Sequence, residues 1–286
     1  MKHYEYQIFI PGGNKTALVL GTDGFENDVC LRKNIQDAIL EKHKDDKDGE
    51  VEQVGFVSTG SSAPQLIMTG GEFCGNATRS AAMYYCLARE CKELEITVSG
   101  TSKPLEAGVN ASNEAWAQMP VYGDLVSTIT PTKEGLYWVA IEGISHLVVP
   151  QVQSAQYLNK IFKCDSKNEQ IDIALSFLKK TTDDNSLPRG KACGVIFLEN
   201  IADVLKMHPF VSIETSGTAY YETGCGSGAI CVGLVSSMLH DDSISIPLLQ
   251  PSGKVIKAEI KCHANDKVEG IISGCIEVGK IYEGKC

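Results

Sequence analysis

GGEFCGNATRSAAMYYC, Gly70 to Cys86, sets a cysteine directly before a Gly-Asn pair and then a stretch with apolar residues at helical spacing. The reading that follows is a helix over Ala77–Leu94, entered through a Cys-Gly turn. A second stretch, ETGCGSGAICVGL (Glu222 to Leu234), repeats the arrangement, with a helix expected from Gly226 to about His240. The first turn of a helix leaves about four backbone N–H groups without an intrahelical partner, and the helix dipole adds partial positive charge there. A carboxylate docks on such a turn. A cysteine placed there has its thiolate stabilised, so both Cys74 and Cys225 are expected to ionise closer to neutrality than a free thiol. Gly75 and Gly226 carry no Cβ and let a ligand approach the backbone closely.

One such turn marks a candidate nucleophile or anion site. Two, at corresponding places in two halves, suggest one small ligand held by both helix ends with a thiol on each side. Two opposed thiols are what stereoinversion at a carbon needs. One thiolate removes the α-proton from one face, and the other group, as thiol, returns a proton to the opposite face. A substrate carboxylate held on helix N–H groups takes up the charge that develops as the Cα–H bond breaks. The bland alternative is a pair of inert buried thiols, since free cysteine is among the most buried residue types. The recurrence of Cys-Gly-[Asn/Ser] before a helix argues against it.

The rest of the chain organises around these two turns. QIFI and TALVLG, broken by PGGN, read as strand, turn, strand over Gln7–Gly21. A helix is expected over Leu31–Lys44, a solvated loop at DDKDGE (45–50), strands at Val51–Ser58 and Gln65–Met68, and a hairpin over Ile96–Gly108. The pattern loosens between Met119 and Thr132. Beyond it come strands at Tyr137–Glu142 and His146–Val149, a helix near Glu169–Lys180, strands at Gly194–Glu199 and Ala219–Glu222, and closing strands at Lys254–Lys261 and Lys267–Val278. Neither half alternates strand and helix regularly. The expectation is an α+β protein of two similar halves, residues 1–125 and 126–273, each with one long helix.

Composition narrows the function. A length of 286 residues suits about two domains. A formal charge of −10 argues against a nucleic-acid groove, which needs a basic face. No apolar run reaches the roughly 20 residues that span a bilayer, so no membrane partner is expected. The first residues carry no apolar signal region, which places the expectation in the cytoplasm. Eleven cysteines, an odd number with no Cys-x-x-Cys pair, fit neither a disulfide framework nor a zinc site, and no metal is expected. No dinucleotide fingerprint, phosphate loop or Schiff-base lysine context suggests a cofactor.

The pair FCGNATRS and TGCGSGA resembles the two signature motifs of the diaminopimelate epimerase-like family, which includes proline racemases and a branch of histidine racemases. PGGN is similar to the family's turn before the second strand, and ISGCIEVGKIYEG to its closing strand. The resemblance implies two pseudo-symmetric halves, each a curved sheet around a central helix, with the active site between them. It also implies that the last strand, about 274–286, joins the N-terminal half. Carried over, it implies Cys74 and Cys225 as the acid/base pair and Gly75, Asn76, Gly226 and Ser227 as backbone donors to the α-carboxylate. It implies Asn14 as a substrate contact, Glu222 as the acid holding the α-amino group, and His146 beside the pocket. It further implies a small amino-acid substrate, no cofactor, and a monomer or homodimer.

Diaminopimelate epimerases grip the distal end of their substrate with several asparagines and an arginine. The matching positions here are Met68, Ile144, Gly194 and Thr223. Stranding a second zwitterion among them costs several kcal/mol, about enough to reject diaminopimelate. GGEFCGNATRS with ETGCGSGA is closer to histidine racemases of the metallophore-pathway type. The expectation is a cofactor-independent amino-acid racemase acting on histidine, with Glu72 and Phe73 as further pocket positions. The alternatives are a diaminopimelate epimerase with an altered distal pocket, another amino-acid racemase of this fold, and a non-catalytic thiol protein that binds an amino acid or a metal.

Overall fold

A computed structural model describes residues 3–21, 28–46, 49–59, 63–121, 123–214, 217–263 and 267–286. Its contacts divide the chain into two units, Met1–Gln118 with Ser273–Cys286, and Met119–Ile272.

The first unit holds strands β1 (His3–Pro11), β2 (Lys15–Leu20), β3 (Val51–Val57), β4 (Gln65–Met68), β5 (Glu93–Val98), β6 (Leu105–Val109) and β7 (Ala115–Gln118), with helices α1 (Val29–His43) and α2 (Gly75–Arg89). The chain's last strand, β17 (Ile276–Lys285), completes it by pairing antiparallel with β1 from His3↔Lys285 to Pro11↔Ile276. β1 pairs antiparallel with β2, β2 runs parallel to β3, and β3 pairs antiparallel with β4. β4 runs parallel to β5, which continues antiparallel through β6 to β7. α2 packs against β1, β2, β3, β5, β6 and β7. Its residues from Gly75 to Met83 are buried on every side, the mark of a central helix. α1 covers a separate cluster in which Ile35 and Ile39 pack with Tyr6, Val19, Val54 and Phe56.

The second unit holds α3 (Leu125–Thr128), β8 (Ile129–Pro131), β9 (Tyr137–Ile141), β10 (Ile144–Val149), α4 (Gln151–Ile161), α5 (Lys167–Asp184), β11 (Ala192–Ile201), β12 (Val204–Ile213), β13 (Thr218–Tyr221), α6 (Gly226–His240), β14 (Ile244–Leu249) and β15 (Val255–Cys262). β16 (Val268–Gly274) follows. β10 pairs antiparallel with β9 and parallel with β11, and β12 joins β11 antiparallel along ten residue pairs. α6 packs on one face, against β9, β10, β14 and β15, and is buried from Gly226 to Val235. α4 and α5 cover the other face, where Trp138, Phe197 and Phe210 form the core with Leu158 and Leu178.

The two central helices are built alike. Each has 15 residues, a cysteine N-cap and a left-handed C-cap, Glu90 at φ 53° and Asp241 at φ 53°. That repetition is the α+β plan expected from the sequence, with corrections. α2 stops at Arg89 rather than Leu94, because Glu90 turns left-handed and its N–H closes on Cys86 O. The stretch 267–278 is two strands broken at Cys275, not one. α4, β12 and β14 had no counterpart in the sequence reading. Within the loop expected at 45–50, residues 47 and 48 lie outside the described ones.

Candidate active site

Cys74 caps α2 from an extended backbone conformation, φ −137° and ψ 112°. Its sulfur accepts the Ala77 N–H at 3.4 Å, and its thiol donates to Gln53 Oε1 at 3.0 Å. The Cys74 carbonyl takes both the N–H and the hydroxyl of Thr78, at 2.9 and 2.8 Å. This fixes the first turn and leaves the sulfur half-buried at its mouth.

Behind Cys74 lies a buried amide pair. Asn76 Nδ2 donates to Asn14 Oδ1 at 3.2 Å, and Arg79 Nη2 donates to Asn76 Oδ1 at 2.7 Å. Arg79 also reaches Gly274 O at 3.4 Å, on the approach to β17. Burial lowers the Arg79 guanidinium to about 10, and the nearby Cys74 opposes that shift. Asn14 Nδ2 is buried with no hydrogen-bond partner among the described residues, which leaves one amide donor unspent.

The loop before Cys74 is braced from behind. Ser99 Oγ donates to Glu72 O at 2.8 Å, and Gly100, at φ 78°, lies so close that a Cβ there would stand 2.4 Å from Phe73 N. Phe73 is buried. Burial raises the Glu72 carboxyl, against its own N–H, the Gly70 N–H and the charge of Arg32. Glu72 Oε2 has no partner among the described residues. Met68 is buried and packs toward Gly55.

In the second unit Cys225 repeats the cap, φ −123° and ψ 106°, and its sulfur accepts the Gly228 N–H at 3.3 Å. The Cys225 N–H donates to Gln250 Oε1 at 2.9 Å, and Ser227 Oγ lies 3.5 Å from the sulfur. A Cβ on Gly228 would stand 3.1 Å from that sulfur and 2.8 Å from Met207 Cε, so the turn admits only glycine there without displacement. Glu222 is buried and close enough to hydrogen-bond the thiol.

The thiol of Cys225 corrects an expectation. It is raised well above an ordinary thiol, not lowered. Burial is the largest cause and the Glu222 carboxylate the next, and together they outweigh Ser227 and the Gly228 N–H. With Cys225 only 3% exposed, the helix terminus does not compensate for lost hydration.

His146, on β10, is fully buried, and burial lowers its imidazole to about 3, so the ring is neutral. Its Nε2 lies 2.9 Å from Ser227 Oγ. Gly194 is its partner on the parallel strand β11, and a Cβ there would meet His146 Nδ1 at 2.7 Å. The space in front of Gly194 is therefore filled by the imidazole. Ile144, at the start of the same strand as His146, is buried. Thr223 is half-buried, and its carbonyl accepts the Ser252 N–H at 3.0 Å.

Cys74 thus gathers Gln53, Asn14, Asn76 and Arg79, and Cys225 gathers Glu222, Ser227, Gln250 and His146. Sequence reasoning missed Gln53, Arg79 and Gln250. Gln53 carries a signal, a polar pair at Glu52-Gln53 inside an otherwise apolar strand; Gln250, in a turn, carries none. Among the described residues no group of three or more His, Cys, Asp or Glu side chains is placed to hold a metal ion. No helix among them is long and apolar enough to cross a membrane.

Solved structures share this fold. A phenazine biosynthesis protein of the PhzF family from Enterococcus faecalis matches with a TM-score of 0.58 and 14% identity, covering 100% of both chains. A hydroxyproline epimerase from Agrobacterium vitis, bound to trans-4-hydroxy-L-proline, matches with a TM-score of 0.61 and 9% identity over 98% of this chain and 92% of that one. The fold is the one these proteins share, two pseudo-symmetric α+β halves. Residues 8–284 match the family described as "Histidine racemase CntK N-terminal domain". Histidine racemases from two strains of Fusobacterium nucleatum subsp. nucleatum are 30% and 32% identical, over 96% and 95% of this chain and 95% and 94% of theirs. A histidine racemase from Staphylococcus aureus is 23% identical over 97% of each chain. The chain belongs to this histidine racemase family.

Proposed function

We propose that the protein is a histidine racemase that works without a cofactor, with Cys74 and Cys225 as its acid/base pair. The observation that carries the chemistry is the repeated helix entry, a cysteine N-cap on each of two matching buried helices. Family membership carries the substrate.

The α-carboxylate docks on the first-turn N–H groups, those of Gly75 and Asn76 on α2 and of Gly226 and Ser227 on α6, because the geometry of a helix's first turn points such N–H groups at an anion. Asn14 offers its unspent amide donor to the same substrate. Glu222 holds the α-ammonium. One cysteine as thiolate takes the Cα proton, and the electron pair left behind spreads into the carboxylate. The other cysteine gives its thiol proton to the opposite face and becomes the thiolate. The pair ends with its protons exchanged and resets with solvent.

The raised thiol of Cys225 gains a role in this scheme. The Glu222 carboxylate helps keep Cys225 protonated. An ammonium docked on Glu222 neutralises that charge and favours ionisation of the thiol. Deprotonation is thereby coupled to the presence of substrate. Met68 and Ile144, apolar where diaminopimelate epimerases are expected to carry polar groups, favour a neutral imidazole over a second zwitterion. Eleven free thiols fit a reducing compartment such as the cytoplasm. The enzyme is a monomer or homodimer and needs no nucleic-acid or membrane partner.

The test is incubation with L-histidine in D2O with no cofactor added, with α-deuteration followed by NMR and D-histidine by chiral chromatography. A panel with LL- and meso-diaminopimelate runs beside it. Deuterated D-histidine with diaminopimelate inert is the expected result. Turnover of diaminopimelate with histidine inert would restore the epimerase alternative, and neither exchange nor turnover would favour a binding protein.

A further inference from the structure

Behind Glu222, on the sheet face that α4 and α5 cover, three side chains form a hydrogen-bonded chain that the proposed chemistry does not use. Tyr221 Oη lies 2.7 Å from His208 Nδ1, and His208 Nε2 lies 3.0 Å from Glu199 Oε2. Burial raises the Tyr221 phenol and lowers the His208 imidazole. The phenol therefore keeps its proton and the ring is neutral. Tyr221 O–H donates to Nδ1, and Nε2–H donates to the Glu199 carboxylate. Both nitrogens of the His208 ring are thereby matched, one as acceptor and one as donor.

The tyrosine ring is also clamped by packing. It stacks on Phe210 at 4.6 Å with 19° between planes and on His208 at 6.1 Å with 14°, and Phe162 at the end of α4 closes the side at 5.8 Å. Tyr221 is the last residue of β13, paired with Phe210. The next residue is Glu222, whose N–H donates to Pro209 O at 3.0 Å. Successive strand residues point to opposite faces. Tyr221 therefore anchors the strand end from behind while Glu222 turns toward Cys225 on the α6 side.

We infer that the Glu199–His208–Tyr221 chain is a positioning device for Glu222, and through it for the substrate's α-ammonium. The inference rests on the reading of Glu222 as the ammonium's partner. Tyr221→Phe keeps the stacked ring and removes only the hydroxyl. Glu199→Ala, at a side chain with 43% exposure, frees the far end of the chain without opening the core.

The experiment is a double-mutant cycle on L-histidine binding, read by calorimetry for the wild type, Tyr221→Phe, Glu222→Gln and the double variant. Tyr221→Phe weakens binding by about threefold to tenfold, the scale of one hydrogen bond acting through geometry. Glu199→Ala moves binding in the same direction and serves should Tyr221→Phe fold poorly. The double variant binds no worse than Glu222→Gln, because the anchor acts only through that carboxylate. Equal weakening by Tyr221→Phe in both backgrounds would overturn the inference and leave Glu222's role intact. Unaltered binding by Glu222→Gln would overturn the reading of Glu222 and the inference with it. No binding of L-histidine by the wild type would overturn both together with the proposed function.

Discussion

His146 Nε2 lies 2.9 Å from Ser227 Oγ, which ties a fully buried imidazole to the first turn of the helix that Cys225 caps. The pairing is between two neutral groups. It holds Ser227 in place without bringing a charge close to the thiol.

A neutral buried histidine makes stability depend on pH with a definite sign. Burial lowers His146 to about 3, whereas an unfolded histidine titrates near 6.5. Between those values the unfolded chain binds the extra proton, so stability rises with pH. The contribution is complete above about pH 6.5 and is lost as pH falls toward about 3, by at most about 1.4 kcal/mol per unit. The shift at His208 has the same direction. Urea midpoints measured near pH 7.5 and pH 5 are expected to fall at the lower pH, with a smaller fall in His146→Gln. An equal fall in the variant would contradict the assignment.

Activity follows the thiols. Because Cys225 is raised by burial and by Glu222, kcat/KM for histidine is expected to climb through neutral pH toward the alkaline side. Glu222→Gln removes the like charge and shifts the climb to lower pH, while weakening substrate binding. A profile already flat from about pH 6 upward would show that Cys225 ionises like an ordinary or activated thiol.

Gly194→Ala tests the packing behind the site. The added Cβ would stand 2.7 Å from both His146 Nδ1 and Phe210 O, and the backbone atom cannot move away cheaply. A loss of about 1–3 kcal/mol in stability is expected, together with a drop in turnover as His146 is pushed off Ser227. Thermal unfolding and initial rates measure the two effects. A variant of wild-type stability would mean that the two strands are spaced more widely than described.

The central helices were legible because a cysteine and a glycine punctuate a helical pattern twice, at Cys74-Gly75 and Cys225-Gly226. What surrounds them was less so. β12 escaped because Pro209 sits inside it, and proline argues against a central strand. The strand tolerates it because the β13 ladder covers only positions 210–213, and just beyond it Pro209 needs to offer only its carbonyl, which accepts the Glu222 N–H at 3.0 Å. α4 escaped because QVQSAQYLNKI buries only Ser154, Leu158 and Ile161, too sparse a stripe to read as periodic. Pairing of β17 with β1 joins the two ends of the described chain, a relationship that periodicity does not encode. Likewise the raised thiol of Cys225 depends on burial and on Glu222, which a sequence motif places but does not weigh.

The account stands on Cys74 and Cys225 as paired acid and base. The most direct measurement is the initial rate of D-histidine formation from L-histidine by cofactor-free wild-type, Cys74→Ser and Cys225→Ser proteins. A serine hydroxyl is far too weak a base to replace either thiol, and a lost general base or acid costs about 10²–10⁴-fold or more. The account predicts racemisation by the wild type and its loss in both variants, each still folded by circular dichroism. Near-wild-type racemisation in either variant would contradict it.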